Sequence, residues 1–232
     1  KTHRDININI DEIPMDDTST FNFISELNLA GVFQLDSFGM KNIIHDLQPD
    51  SLSDIIAVIA LFRPGPMGFI PLYISNKKGT TKIEYLLPIL EPILKSTYGI
   101  IVYQEQVLEI AVKVAGYSLG EADSLRRAMG KKDPIEMAQQ ESKFLEGAKK
   151  NQIPHQIATN LFNQMSDFAG YGFNKSHAAP YGLISYQTAY LKHHYTLEFM
   201  ASLMTLDKHD TTKLLVYFND LRKLNIKLLA PC

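Results

Sequence analysis

The segment Arg126–Lys132 contains the densest group of positive charge in the chain. Four of its seven residues are cations, Arg126, Arg127, Lys131 and Lys132, and no Asp or Glu lies among them. This density predicts a binding surface for an anionic ligand on a short helix. The helix would be held by an apolar stripe on another face, made of Leu119, Ala122, Leu125 and Met129. The alternative is a solvated face that binds nothing.

A second candidate segment reads "FAGYGFNKSHAAPYG", residues 168–182, and begins with aromatic residues spaced by glycine. Gly170 and Gly172 would let the backbone approach a planar ligand closely. Tyr171 and Phe173 would offer faces on which a base could stack. The alternative interpretation is that both aromatic rings belong to the core.

The polar residues of this segment come next, at a predicted helix start. They are Asn174, Lys175, Ser176 and His177. Backbone N–H groups at a helix start, together with the helix dipole, favour anions. Aromatic rings, cations and a helix start together predict a nucleoside phosphate as ligand. The alternative is that Ser176 only caps the helix and His177 is an ordinary polar residue.

The sequence offers no reacting centre to accompany these groups. It has no phosphate-binding G-x-x-x-x-G-K-[ST] loop and no Asp-x-Asp pair. His193 and His194 are adjacent, hence about 100° apart on a helix, which does not suit two ligands of one metal ion. We therefore expect no catalytic residue and no metal ligand here, only groups that hold a substrate.

Composition limits the remaining classes. The 232 residues carry a formal net charge of -2, so nucleic-acid binding would depend on a local patch. A single cysteine, Cys232, excludes internal disulfides and favours a reducing compartment, and we expect a cytoplasmic protein. The longest apolar run, residues 55–62, is far below the roughly 18 residues of a membrane span, so we expect no membrane contact.

Capping and periodicity predict a mainly α fold. Seven or eight helices are indicated, with at most two short strands, at residues 100–103 and 226–229. Pairs of capping residues mark several starts, among them Ser118 with Glu121 and Asp133 with Pro134, and Thr196 is expected to cap a later helix. Residues 1–30 predict an irregular, extended connector.

Five segments resemble the bacterial C-family replicative DNA polymerases. They occur in order along the chain and read "GVFQLDSFGM", "LFRPGP", "TYGIIVYQEQV", "AGYSLGEADSLRRAMGKK" and "FAGYGFNKSHAAPYGLISYQTAYLKHHYTLEFMA". The resemblance implies a multi-helix fingers domain. It further implies a connector from the palm at 1–30, a fingers core at 31–206 and a continuing, truncated segment at 207–232. We therefore expect the chain to be a piece of a longer protein.

The resemblance also implies template-directed DNA synthesis, with the fingers binding the incoming dNTP and the template/primer end. The nucleotide-binding positions would be Arg126, Arg127, Lys131, Lys132, Tyr171, Asn174, Lys175 and His177. Mg²⁺ would be bound by palm aspartates absent from this chain, which alone would be inactive. The implied partners of the full-length enzyme are a sliding clamp, a clamp loader and a proofreading subunit.

Two alternatives stay open. One is a non-catalytic helical module that binds nucleic acid through the same basic residues, and the other is an error-prone C-family paralogue. Pro180 is a departure from the family pattern, which often has alanine there, and it leaves the exact helix position of His177 open.

Overall fold

The fold is known from a computed structural model that describes residues 7–131, 133–169 and 171–229, and it is mainly α-helical, as predicted. Twelve α-helices form over these residues: α1 (Thr18–Ser25), α2 (Phe38–Leu47), α3 (Leu52–Leu61), α4 (Ile70–Lys77), α5 (Glu91–Leu94), α6 (Gln104–Ala115), α7 (Leu119–Lys131), α8 (Pro134–Lys150), α9 (His155–Ala169), α10 (Lys175–His194), α11 (Thr196–Leu206) and α12 (Thr211–Lys223). Short 3-10 helices lie at Ile10–Glu12, Pro66–Phe69, Pro88–Leu90 and Lys95–Thr97.

The eight predicted helices correspond to α3 and to α6–α12, and four further helices were not predicted: α1, α2, α4 and α5. Three of these have only four to eight residues, and α4 and α5 begin with a proline in the first turn. So short a segment carries little periodic signal. Helix α1 also lies within the predicted extended connector, so that part is not extended.

Neither predicted strand forms. Within residues 100–103, only Tyr103 makes a β-bridge, an isolated parallel one to Phe173. Residues 226–229 are irregular. Pro180 lies inside α10, five residues after its start.

Local capping chemistry accounts for several of the helix ends. The Ser118 N–H donates to Glu121 Oε2 at 2.8 Å, and the Glu121 N–H donates to Ser118 Oγ at 3.3 Å, which is a capping box. Asp133 accepts two N–H groups at the start of α8. Gly116 ends α6 with φ of 68°. The predicted cap at Thr196 is wrong, because its hydroxyl donates back to Lys192 O at 2.7 Å.

The chain divides into two compact units, one built from residues 1–55 and 181–232 and one from residues 56–180. The predicted boundaries at 30 and 206 refer to a longer polypeptide and stay a prediction. In the unit of residues 56–180, α6 packs against α7, α8 and α9. Its buried side chains Val107, Ile110 and Val114 form the centre of that core.

The other unit packs α11 and α12 together around a separate apolar cluster. The cluster consists of Ala30, Met200, Tyr217 and Leu221. Lys192 of α10 is fully buried in this unit and donates hydrogen bonds to Asn28 O, Ala30 O and Asp220 Oδ2. These bonds join segments that are distant in the sequence.

No helix within the described residues is long and apolar enough to cross a membrane.

Candidate functional site

The aromatic segment of residues 171–173 lies against the start of α6. The Phe173 N–H donates to Val102 O at 3.3 Å, and the Gln104 N–H donates to Phe173 O at 2.9 Å. The Gln104 side chain adds a bond from Nε2 to Gly172 O at 3.0 Å. These bonds use backbone groups that an irregular segment would otherwise leave unsatisfied. They fix residues 171–173, which we call the aromatic strip, on the first turn of α6.

Arg63 holds the aromatic strip from another side. Its Nη2 donates to Tyr171 O, and its Cζ lies 4.4 Å from the centre of the Phe173 ring. Its Nε donates to Ala60 O at 2.8 Å, which anchors the guanidinium near the end of α3. A cation over an aromatic face is attracted by the ring quadrupole. Arg63 therefore fixes the backbone at Tyr171 and the ring at Phe173 together.

Gly65 leaves room for the Tyr171 ring. Its φ of 99° is a conformation that favours glycine, and a Cβ added there would overlap that ring. Both residues border an open cavity of about 710 Å³. Its other lining residues are Gly68, Phe69, Met137, Ser166 and Asp167. Tyr171 itself is 37% exposed, so the strip borders a space that a ligand could enter.

Helix α10 begins at Lys175, within the predicted start at residues 174–177, but the N–H groups of Lys175 and His177 are occupied. The Lys175 N–H lies 3.0 Å from both carboxylate oxygens of Glu105, and the His177 N–H donates to Asn174 Oδ1 at 3.0 Å. These two N–H groups are therefore not free for a ligand. The side chains of Asn174, Lys175, Ser176 and His177 are exposed, and Lys175 Nζ lies 5.3 Å from the Tyr103 ring centre.

The cationic helix is α7, and Asp123 neutralises part of its charge. Arg126 Nη2 lies 2.8 Å from Asp123 Oδ1, and Arg127 Nη2 lies 2.6 Å from Asp123 Oδ2. Hydrogen bonds from Arg126 and then Arg127 lower the pKa of the Asp123 carboxyl. The Arg127 side chain is 68% exposed and that of Arg126 is 28% exposed. Arg127 is thus the more accessible of the two.

The remaining two cations of this segment are Lys131 and Lys132. Lys131 Nζ lies 3.7 Å from Glu136 Oε1, at the limit of an ion pair, and its side chain is 67% exposed. Lys132 lies outside the described residues, as does Gly170 of the second segment. Ala122, Leu125 and Met129 are buried as predicted, but Leu119 is 76% exposed and does not belong to the apolar stripe.

The two predicted groups are connected through α6. Helix α7 packs against α6, and the aromatic strip is bonded to the first turn of α6. Their hydrogen bonds and ion pairs nevertheless go to different partners: Asp123 for the two arginines, and Arg63, Gln104 and Glu105 for the strip and the start of α10. That both groups bind one ligand stays a prediction.

Four residues of the site were missed. Asp123 had a readable signal, because it lies three and four positions before the arginines on one helix. Arg63 was noted only within the segment "LFRPGP" that carries the family resemblance. Gln104 and Glu105 had no local signal, since their partners Gly172 and Lys175 lie 68 and 70 positions away.

Within the part of the chain that the structure describes, no group of three or more His, Cys, Asp or Glu side chains could hold a metal ion.

Fold and site together define a class: a helical domain that presents exposed cations on α7 and α10 and aromatic rings beside the start of α6. The family is more specific than the class. The sequence model of the bacterial DNA polymerase III alpha subunit finger domain matches residues 1–152, and the chain belongs to this family.

Curated relatives agree with this assignment. The chain is 50% identical over 231 residues to the DNA polymerase III subunit alpha of Pseudomonas aeruginosa, with 97% of this chain and 20% of the relative covered. It is 49% identical over 236 residues to that of Thermus aquaticus, covering 100% and 19%. It is 48% identical over 231 residues to that of Escherichia coli K12, covering 97% and 20%. The chain thus spans about a fifth of the length of these relatives.

Proposed function

We propose that this chain is the fingers part of a replicative DNA polymerase and that it binds the incoming dNTP and the template/primer end. The observation that carries the proposal is the family membership of the chain. The arrangement around α6 supports it, because the aromatic strip is bonded to the first turn of α6 and the cationic helix α7 packs against α6. The relatives named above are alpha subunits of DNA polymerase III, which favours the replicative enzyme over an error-prone paralogue.

The exposed cations would act on the triphosphate. Arg127, Lys131, Lys175 and His177 have accessible side chains, and Arg126 is more enclosed. In phosphoryl transfer the protein acts mainly by positioning groups and stabilising charge. A charge pair 4 Å apart contributes about 1 kcal/mol in water and about 4 kcal/mol at an effective dielectric constant of 20. Exclusion of water would therefore strengthen each contact several-fold.

The aromatic strip would border the nascent base pair. Tyr171 is partly exposed beside the cavity, and its position is set by Gly65 and Arg63. Stacking of one base on an aromatic ring contributes about 1–3 kcal/mol. The strip would thus supply shape and stacking, while the cations supply charge.

The reacting centre would lie elsewhere in the full-length polypeptide. We infer that palm aspartates outside this chain hold Mg²⁺, which would stabilise the charge on the phosphates during transfer. In the same way, the sliding clamp, the clamp loader and the proofreading subunit are proposed partners of the full-length enzyme in the bacterial cytoplasm.

The test requires a full-length enzyme. The matching segment of the Escherichia coli relative is replaced by this chain, and primer extension is measured against nucleotide concentration. We expect DNA synthesis by the chimaera. We expect Arg127→Ala or His177→Ala to raise KM for dNTP or lower kcat by about tenfold or more, since either side chain would contact the substrate. Lys149→Ala, which removes an exposed cation of α8, is the control and should have wild-type kinetics.

Two results would contradict the proposal. A chimaera that folds but does not extend primers would reject the polymerase assignment, and wild-type kinetics of both variants would reject the site. A non-catalytic DNA-binding module predicts a different pattern: the isolated chain would bind DNA with an affinity that falls steeply with salt, and the chimaera would be inactive.

A further inference from the structure

Arg63 is a cation whose charge is not compensated. Its side chain is half-buried, and no carboxylate in the described part of the chain forms an ion pair with it. Arg126 and Arg127, in contrast, both pair with Asp123. Burial lowers the pKa of Arg63, because removal from water disfavours the charged form, although a guanidinium stays protonated in proteins. An anion placed beside Arg63 would therefore gain more than one beside a paired arginine.

The guanidinium is held in one orientation. Nε donates to Ala60 O, Nη2 donates to Tyr171 O, and the Phe173 ring packs against its face. The two hydrogen bonds use two of the five N–H donors that a guanidinium carries. The other donors are thus fixed in direction before a ligand arrives, which reduces the entropy cost of binding.

The position of Arg63 connects it to the aromatic strip. It contacts Tyr171 and Phe173, the rings proposed to border a base, and Gly65 two residues further on borders the cavity together with Tyr171. A nucleotide unit that stacks at the strip would bring its phosphate within reach of this side of the strip. A planar guanidinium with parallel N–H groups matches the geometry of phosphate oxygens.

We propose that Arg63 is a phosphate-binding residue, whose remaining guanidinium N–H groups bind a phosphate of the nucleotide unit at the aromatic strip. This inference rests on the proposed function and adds a residue to it. The phosphate belongs either to the incoming dNTP or to the DNA strand, and the chemistry is the same for both.

The competing explanation is that Arg63 only ties the strip in place through Tyr171 O and the Phe173 ring. Two variants separate these roles. Arg63→Gln keeps an amide donor and removes the charge. Arg63→Lys keeps the charge and removes the planar guanidinium with its parallel N–H donors. The control is Arg222→Gln, which removes an exposed cation of α12 in the other unit.

The experiment uses the full-length chimaera and two measurements over a range of KCl concentrations. One is KM for dNTP at saturating primed template, and the other is Kd for primed template without nucleotide. If the phosphate is that of the dNTP, Arg63→Gln raises KM by about tenfold, weakens its salt dependence and leaves the DNA affinity unchanged. If it is a DNA phosphate, Arg63→Gln weakens the affinity for primed template, and the slope of log affinity against log KCl concentration falls in magnitude by about 0.9. Arg63→Lys should keep the salt dependence in either case.

Two results would overturn the inference. One is that Arg63→Gln matches Arg222→Gln in KM, Kd and salt slope. The other is a loss of activity or affinity in Arg63→Gln without any change in salt dependence. That result is expected if Arg63 only holds the aromatic strip in place. An unsubstituted chimaera without polymerase activity would reject the proposed function. An active chimaera whose Arg63→Gln variant behaves like the control rejects only the role of Arg63.

Discussion

Both carboxylate oxygens of Glu105 lie 3.0 Å from the backbone nitrogen of Lys175, although the two residues are 70 positions apart. A helix start favours negative charge, and here the chain supplies that charge itself. A phosphate near this helix would therefore meet the side chains of Lys175 and His177 rather than the first backbone N–H. The relationship also joins the starts of α6 and α10.

Loss of this cap should destabilise the chain. We expect Glu105→Ala to lower the free energy of unfolding by about 1 kcal/mol, the usual effect of removing a capping side chain. The measurement is urea unfolding of the 232-residue chain. The matched control is Glu109→Ala on the same helix, where an exposed ion pair to Lys113 at 2.7 Å should contribute at most about 0.5 kcal/mol. Equal effects of the two substitutions would contradict the capping role.

Gly65 and Gly68 are two nearby glycines at which the same substitution should have different effects on stability. A Cβ at Gly65 would overlap the Tyr171 ring, and its φ of 99° is strained for any other residue, whereas a Cβ at Gly68 meets no atom within 4 Å. We expect Gly65→Ala to cost more than about 1 kcal/mol of stability and Gly68→Ala to be nearly neutral. In the full-length chimaera, Gly65→Ala should also raise KM for dNTP, because Tyr171 must move. Similar melting temperatures for the two variants would argue against this account.

Local interactions explain which parts of the fold could be predicted from the sequence. The capping box of Ser118 and Glu121, the cap at Asp133 and the helix end at Gly116 each involve partners within a few positions. Such pairs can be recognised by spacing alone. For the same reason, Asp123 could have been recognised as the partner of the two arginines and was overlooked.

Contacts between distant positions explain what could not be predicted. The bond from Arg63 to Tyr171 O spans 108 positions and that from Lys175 to Glu105 spans 70. Neither partner is marked by composition or periodicity. The sequence therefore predicted a helix start within residues 174–177, but not that a carboxylate already occupies the N–H group of Lys175.

Asp17 should make stability depend on pH under acidic conditions. Burial raises the pKa of its carboxyl, but hydrogen bonds from His194, Thr20 and Ser19 outweigh this and hold the pKa well below its ordinary value. The unfolded state therefore binds the proton more readily than the folded state. This stabilisation is fully present above the unfolded pKa of about 3.9 and is lost as pH falls through the lower folded value.

The variant for this test is Asp17→Asn, which keeps a side chain able to cap α1 but cannot titrate. Urea unfolding between pH 2 and 5 should show a stability difference between wild type and variant that shrinks as pH falls. A difference that is constant over this range would show that the Asp17 carboxylate is not linked to folding.

Lys192 and Asp220 form a buried ion pair that has an exposed counterpart in the same unit. Lys192 Nζ lies 2.6 Å from Asp220 Oδ2, with side-chain exposures of 0% and 8%, and it also donates to Asn28 O and Ala30 O. Burial lowers the pKa of Lys192, and the hydrogen bond to Asp220 opposes this effect. The ammonium of this fully buried side chain thus donates to three acceptors.

We expect Lys192→Met to cost about 3–5 kcal/mol, because it leaves the Asp220 carboxylate buried and unpaired. Lys213→Met removes the matched exposed ion pair, in which Lys213 Nζ lies 2.8 Å from Asp207 Oδ1 and 54% of the lysine side chain is exposed, and it should cost far less. The double variant Lys192→Met/Asp220→Leu should recover part of the loss, since no charge then remains buried without a partner. If Lys192→Met were no more costly than Lys213→Met in urea unfolding, the buried pair would not contribute to holding residues 28–30 and α12 to α10.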